Sequence, residues 1–571
     1  MLHSELLQTK SMNSVFTGLK KRYSQLRSDL GAGRGMLSLV AGLREFFREP
    51  VTLEKAKEEI RRALETREQR FLDLLRTQVY GREGSPYLKL LQMAGCDFAD
   101  LQTHVGQHGL ENTLEKLARE GVYLSSDEFR GKTDVVRGGQ SFWVSSKDVE
   151  LQSSSRGLML TQSSGSRNRP QRYALSLDRT AMSSRLRCVF FSAHDLFHYS
   201  HAIYDAILPT SGGIRHLLSF AKIGIKVDRW FARRVPMNSW PEAAFHRLTT
   251  SLIVLATRLF GPGAPWPQFL DGHEINRIVN WIVENNQIGR ACCVRTTASN
   301  AVRIARTAQT MGQSLDGAKF VVSGEPLTES KRALIENVGG QAIPCYGCAG
   351  LGEIGYGCGN PLQNDEVHVP SDRLAVIQHL RHLGGSGLPI HPFLFTTLSP
   401  LAPKLHLNVE NGDYGAIETR ECGCALERAG LTLRLHHIRS FEKLTGEGMS
   451  YHYGDLYELF ERTFPAEFGG GLGDYQLVEE EDGNGQTRLT LVVHPDVGNL
   501  DEEKILARLR GALSDGSRGN RFMTWVWQDA GTFRVKREPP YVSPRGKILP
   551  LHVSHAKTKL PDGEALPADV R

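Results

Sequence analysis

The feature that most constrains the fold is an alternation through the middle of the chain, where short β-rich runs recur between helical stretches. Lys319 to Val322 is such a run, Cys188 to Phe191 reads as another, and Cys292-Cys293 opens a third. Ile214 to Lys222, Pro241 to Phe260 and Glu329 to Val338 read as helices. Strand, turn and helix repeated in this way predict an α/β domain. Pro262 to Pro267 reads as a loop. Beyond residue 440 a smaller α+β domain is expected, with strands at Leu489 to Val493 and Phe522 to Trp527 and a helix over Glu502 to Ala512. Near the start, Leu53, Ala56, Ile60, Ala63, Leu64, Phe71, Leu74 and Leu75 recur mostly at three- and four-residue steps, which predicts helix over 53–80. A second helix is expected from Leu110 to Gly121. Residues 1–50 carry little pattern, and Gly31, Gly33 and Gly35 interrupt any long helix there. The expected organisation is a helical N-terminal extension (1–80), a large multi-layer α/β core domain (81–440) and a small α+β C-terminal domain (441–571).

Charge narrows the partners. The 571 residues include 69 basic and 63 acidic side chains, a net +6. Over this length that balance is mild and no Lys/Arg block stands out, so nucleic-acid binding gains no support. The longest apolar stretches, such as Leu252 to Ala256, fall far short of the ~20 residues a membrane-spanning helix needs. Met1 to Leu30 is polar and lacks the apolar stretch of a secretory signal. Nine cysteines, an odd number in a chain of this size, point to reduced thiols and a cytoplasmic location.

A loop with the chemistry of an anion cradle follows the apolar stretch Gly157 to Leu160. Thr161-Gln162-Ser163-Ser164-Gly165-Ser166-Arg167-Asn168-Arg169-Pro170 gathers hydroxyls, a glycine and two arginines. Backbone N–H groups in such a turn form an anion-binding concavity, and serine hydroxyls add donors. It is not a Walker loop, because no Gly-Lys-Ser/Thr ending exists. A Ser-rich surface turn has the same composition. Downstream, in order, come Ser323-Gly324-Glu325-Pro326, then Cys345-Tyr346-Gly347 leading to Glu353, then Asn411-Gly412-Asp413-Tyr414-Gly415. Arg439-Ser440-Phe441-Glu442-Lys443 and Pro544-Arg545-Gly546-Lys547 complete the series. Taken alone, Asn411-Gly412-Asp413 also suits a hairpin turn.

This ordered set, from Ser163 to Lys547, resembles the adenylate-forming superfamily of acyl- and aryl-coenzyme A ligases, adenylation domains and luciferases. Ser85-Pro86-Tyr87 and Gly121-Val122-Tyr123-Leu124-Ser125 are similar to the phenylacetate–coenzyme A ligase-like branch. The resemblance implies a large core domain with a small mobile lid. It implies ATP and Mg2+ as cofactors, a carboxylic acid substrate, and coenzyme A or an acyl carrier protein as acceptor; it leaves a homodimer open. Ser163, Ser164, Gly165, Ser166, Arg167 and Arg169 would then hold phosphates, with the arginines in place of the usual Thr-Gly pair and lysine. Gly324, Glu325 and Pro326 would lie against the adenine, together with Tyr346 and Gly347. Asp413 would grip the ribose; a carboxylate suits that task because it only accepts hydrogen bonds. Glu353 would bind magnesium, across a longer spacing from Tyr346 than the common form. Arg439 and Glu442 would mark the hinge, and Lys547 would be the catalytic lysine of adenylation.

Cys358, His368, Cys422 and Cys424 form a separate constellation. Three thiolates and an imidazole make a closed tetrahedral set of the kind that holds structural zinc. Cys345 and Cys348 are an alternative pair, and buried reduced cysteines without metal are the plainer alternative. The ligase-like branch has members with a similar Cys, His and Cys-x-Cys arrangement. His194, His198 and His201 sit at helical spacing and read as core or pocket-wall residues, with Phe197 and His198 candidates to touch substrate. Phe468 to Asp474 reads as a glycine-rich turn, since no Gly-Lys follows. The functional expectation is adenylation of a carboxylic acid followed by acyl transfer to a thiol. An amide-forming ligase and a nucleotide-binding scaffold without chemistry are the competing readings.

Overall fold

Six strands from the middle of the chain pair in parallel, and six later ones extend the same sheet antiparallel. The computed structural model describes residues 35–541 and Leu551–Val553, apart from 152–158, 163–171, 209–211, 234–239, 349, 383–388, 441–442, 447–448, 453–455, 457–458, 472, 482–486, 515–523, 525–526 and 529–530. The parallel strands are β1 (Ser200–Tyr204), β2 (Val227–Arg233), β3 (Pro267–Leu270), β4 (Cys292–Thr297), β5 (Lys319–Ser323) and β6 (Gln341–Cys348). The others are β7 (Gly352–Gly357), β8 (Val367–His368), β9 (Leu374–Gln378), β10 (Pro392–Thr397), β11 (Val409–Thr419) and β12 (Leu433–Ser440). Their order in the sheet is β9-β10-β11-β12-β8-β7-β6-β5-β4-β1-β2-β3. From β1 the chain winds one way to β2 and β3. From β4, on the other side of β1, it winds the opposite way. That reversal between β1 and β4 is a topological switch point.

Helices cover the sheet. A helix over 35–48 (α1) and Leu53–Glu65 (α2) pack with Leu177–Ala193 (α3), Gly212–Lys222 (α4) and Trp240–Phe260 (α5) in one apolar core. A second core holds Asn276–Gln287 (α6), Ala298–Thr310 (α7) and Glu329–Glu336 (α8). Parallel strands buried on both faces read as near-continuous apolar runs, and β5 shows this at Phe320, Val321 and Val322. The short helix Ala425–Arg428 (α9) precedes β12. A separate four-stranded sheet near the C-terminus joins β13 (Tyr475–Glu481), β14 (Thr487–Val493), β15 (Phe533–Arg537) and β16 (Leu551–Val553) in the order β15-β14-β13-β16, with α10 (Glu502–Ser514) contributing to its own core. The chain is therefore of mixed α/β class, with a large sheet and a small α+β unit. Among the described residues no helix is long and apolar enough to cross a membrane.

Three local expectations are corrected. Cys188 to Phe191 is helical, inside α3, rather than a strand. Leu186 to Phe191 is buried without interruption, so the helix lacks the polar face that marks an amphipathic period. A helix over 35–48 starts at Gly35 and sets Leu39, Leu43, Phe46 and Phe47 into the core. In the C-terminal unit, Thr524 and Trp527, the described residues of the expected strand Phe522 to Trp527, are helical.

Candidate functional site

The strand β11 carries an irregularity where the Asn-Gly-Asp motif lies. Its pairing with β10 runs from Glu410 opposite Leu394 to Tyr414 opposite Pro392, so three residues on β11 face one on β10. Gly412, at φ 85°, allows the kink. The motif is thus a bulge inside a strand, not a hairpin turn. The bulge brings Asn411 and Asp413 to the end of β6. The Tyr346 hydroxyl donates to Asp413 Oδ2 at 2.7 Å, and Asn411 Nδ2 lies 2.6 Å from that hydroxyl and 2.8 Å from Asp413 Oδ2. Ser440, opposite Asp413 across β11–β12, donates to Oδ1 at 2.5 Å. Burial, and then the Asp413 carboxylate, push the Tyr346 phenol well above its usual range, so it stays a donor.

Glu353 lies in a different group. Successive strand residues face opposite sides of a sheet. Cys345, paired with Tyr356, therefore faces away from Tyr346. Glu353 belongs with the Tyr356 side: its Oε2 accepts from the Tyr356 hydroxyl at 3.1 Å and from Arg187 Nη2 at 2.5 Å. Arg295 Nη2 is 3.4 Å from Oε1, and His216 Nδ1 is 3.8 Å from it. Burial alone raises this carboxyl; Arg187, His216 and Arg295 overturn that and hold it well below the usual carboxylate range. A magnesium ion reaching Glu353 has to displace one of these guanidiniums.

Glu325 caps a helix. Its carboxylate takes the Ser299 N–H at 2.8 Å and the Ser299 hydroxyl at 2.6 Å in the first turn of α7, and Lys331 Nζ at 3.2 Å. It ties the end of β5 to α7, while Gly324 beside it is exposed. Pro326 is half-buried, and its carbonyl faces Lys331 Nζ at 3.4 Å. Gly347 pairs with Glu353 across β6–β7. Arg439 Nη1 holds Asp365 at 2.9 Å, and Asp365 also accepts the His437 and Ile438 N–H groups. The loop residues Ser163, Ser164, Gly165, Ser166, Arg167 and Arg169, the hinge residue Glu442 and Lys547 lie outside the described residues. The strands flanking that loop, Met159–Gln162 and Arg172–Leu175, pair antiparallel, with Gln162 opposite Arg172.

Cys358, His368, Cys422 and Cys424 come together as the sequence suggests. Their donor atoms all lie within 4.8 Å of one another. His368 Nε2 is 3.7 Å from Cys422 Sγ and 3.4 Å from Cys424 Sγ. Ligand edges of about 3.5 Å are what tetrahedral zinc bond lengths require between sulfur and nitrogen. The other ring nitrogen, Nδ1, lies 2.6 Å from the Leu431 carbonyl, an arrangement that fixes Nε2 as the lone-pair donor. Glu427 accepts the Cys422 and Gly423 N–H groups, each at 2.6 Å, and so clamps the Cys-Gly-Cys turn. A hydrogen bond from Cys358 draws Cys424 towards thiolate and pushes the Cys358 thiol up. The donor set fits zinc in a closed, structural site. Cys345 stands apart, its thiol pushed up to about 11 by burial. The three histidines do not share a helix face, because α3 ends at Ala193 and His201 lies on β1. His194 and His201 bond backbone carbonyls of Gly357 and Leu196 and are neutral groups of the core.

Sequence reasoning missed the partners rather than the principals. Asn411 and Ser440 stood inside motifs already marked. Arg187, Arg295 and His216 carried no signal, since single basic residues in apolar runs announce nothing until the fold assembles them.

No family model matches the chain, and no curated protein matches it. Solved structures do. The chain is similar to a variant of amide bond synthetase Mcba from Marinactinospora thermotolerans, at 13% identity and a TM-score of 0.35, covering 80% of this chain and 84% of that one. It is similar to o-succinylbenzoate CoA synthetase (MenE) from Bacillus subtilis, at 10% identity and a TM-score of 0.36, covering 70% and 69%. MbtA from Mycobacterium smegmatis matches at 11% identity and a TM-score of 0.29, covering 77% and 73%.

Proposed function

We propose that the chain is an ATP-dependent ligase that converts a carboxylic acid to an acyl-adenylate and passes the acyl group to an acceptor, with a coenzyme A or carrier-protein thiol as the leading choice. The observation that carries this reading is the meeting of Tyr346 and Asp413. Two residues marked from separate motifs lie in direct hydrogen-bond contact, with Asn411 and Ser440 completing the group. A carboxylate held there, with an aromatic ring beside it, has the form of a ribose and adenine site. Ribose hydroxyls would take over the Asp413 oxygens from Ser440 and Tyr346.

In this reading Ser163 to Arg169 hold the phosphates, and Gly324 and Gly347 allow the nucleotide to approach the backbone. Lys547 neutralises charge that builds on the α-phosphate and the carboxylate as the bond forms. Arg439 and Glu442 mark the pivot on which residues 441–571 would swing away for the second step. Magnesium, when bound, supplies charge neutralisation at the phosphates. Glu353 would hold it through the oxygen that Arg295 contacts at 3.4 Å, once that guanidinium is drawn to an anionic ligand. Zinc at Cys358, His368, Cys422 and Cys424 has a structural role, and with the N-terminal motifs it supports the phenylacetate–coenzyme A ligase-like branch.

The reading is tested by mass spectrometry of products after incubation with ATP, magnesium, coenzyme A and a mixture of carboxylic acids. The expected products are AMP and one acyl thioester. AMP with an amide instead of a thioester would move the acceptor to an amine. Nucleotide binding without any AMP would favour the scaffold without chemistry.

A further inference from the structure

The Glu353 group holds more positive charge than it has acid to match. Arg187 on α3, Arg295 on β4 and His216 on α4 are 3%, 2% and 4% exposed. Arg215, half-buried on α4, adds to the field on the Glu353 carboxylate. Burial holds His216 neutral, well below the usual imidazole range, and the nearby Arg373 has Asp372 beside it, so Glu353 offsets one of the three remaining guanidiniums. Several polar atoms are also idle: the Nε donors of Arg187, Arg215 and Arg295, and the ring Nδ1 of His216, are buried without a hydrogen-bond partner among the described residues. Burying charge without a counter-charge is strongly unfavourable, as is burying a donor without an acceptor.

The place of the cluster matters as much as its charge. Arg295 sits on β4 and α4 follows β1, the two strands that flank the switch point. In doubly wound sheets that crevice, at the carboxyl ends of the strands, is where ligands bind. Arg295 Nη2 also donates to Ser323 Oγ at 2.8 Å, at the end of β5, next to the exposed Gly324. The cluster is therefore linked to the surface through the turn assigned to the nucleotide.

We propose that Arg187, Arg295, Arg215 and His216 form a buried oxyanion site that takes a carboxylate or phosphate group in addition to Glu353. Guanidinium groups bind both chemistries through paired N–H donors. Two sources offer such a group: a phosphate of the nucleotide, or a second carboxylate on the acid substrate. The second source deepens the ligase reading and rests on it; the charge surplus does not.

The test is thermal denaturation and calorimetry of the full chain in magnesium-free buffer at matched ionic strength. The probes are inorganic phosphate, ATP, succinate and butyrate, applied to the native protein, Arg215→Gln and Glu353→Gln. Arg215 makes no ion pair with a described residue, so its variant leaves the Arg187–Glu353 pair in place. At least one oxyanion probe is expected to bind saturably at millimolar concentration or below. Arg215→Gln weakens that binding about tenfold, roughly the effect of one charge-assisted hydrogen bond. Glu353→Gln tightens it, because the competing carboxylate charge is gone; a purely structural cluster gives no such reversal. Binding of phosphate and ATP but not succinate assigns the site to the nucleotide. Binding of succinate but not butyrate assigns it to a dianionic acid. No saturable binding of any probe, or binding that neither variant alters, overturns the proposal. Anion binding that survives while no acid supports AMP formation would sink the ligase reading alone.

Discussion

Among the described residues Tyr346, Asn411 and Ser440 all donate to Asp413, so its role can be probed by removing charge while keeping shape. Asp413→Asn is expected to lower ATP affinity about tenfold or more, since a hydrogen bond to a charged group contributes about 1.5–3 kcal/mol. Calorimetric titration reads this directly, and an unchanged affinity would remove Asp413 from the ribose role. Glu353 makes a different prediction. Its folded-state carboxyl lies well below the ordinary value of 4.5, so its ion pairs stabilise the fold above that value. The contribution is lost as pH falls below 4.5 towards the depressed folded value. At neutral pH Glu353→Gln should be the less stable protein, and the gap should narrow as the solution is acidified. A gap that stays constant on acid titration would mean that the carboxylate is not charged in the fold.

Elements hold these residues at their stations, and two of them give direct tests. The turn at 422–424, the strand β8 and the residues after β7 meet at the four-donor cluster. A structural zinc ion there would tie three segments together, and metal binding in such sites adds directly to folding stability. Purified protein is expected to carry stoichiometric zinc by elemental analysis. Cys424→Ser should lose it and lower the melting temperature; protein without zinc but of equal stability would refute the metal. In α3, Phe191 is fully buried, with the Phe197, His201 and Phe220 rings 5.8, 5.3 and 5.1 Å away. Phe191→Ala should lower stability by about 3–5 kcal/mol in denaturant unfolding. The same helix shows where reading from sequence stops. Lys319 to Val322 and Glu329 to Val338 were legible because the first is a short β-branched apolar run bounded by a glycine turn and the second a two-faced helix with a period. Leu186 to Phe191 has none, because neighbours cover every side. The β11 bulge was hidden for another reason: Asn-Gly-Asp is turn chemistry, and only the pairing of β11 with two long strands places it inside a sheet.

At the scale of the whole molecule, the sequence marks individual groups well and their neighbours poorly. The set of Cys358, His368, Cys422 and Cys424 was legible complete, because its residue types are few and chemically alike. Tyr346 and Asp413 were legible as separate motifs, and their contact follows from folding alone. The cations around Glu353 were not legible, since α3, α4 and β4 bring them from three distant segments. The proposed reaction needs Tyr346 and Asp413 on the large sheet and Lys547 near the chain's end to act on one nucleotide. Lys547→Ala is expected to abolish adenylation while leaving the unfolding transition unchanged, as fits a residue that acts in one chemical step. The most direct measurement is the exchange of labelled pyrophosphate into ATP across a panel of carboxylic acids. Exchange is expected to depend on one class of acid, to persist without coenzyme A and to disappear in both Lys547→Ala and Asp413→Ala. Absence of acid-dependent exchange in well-folded, zinc-replete protein, or exchange undiminished in those two variants, would contradict the proposed reaction.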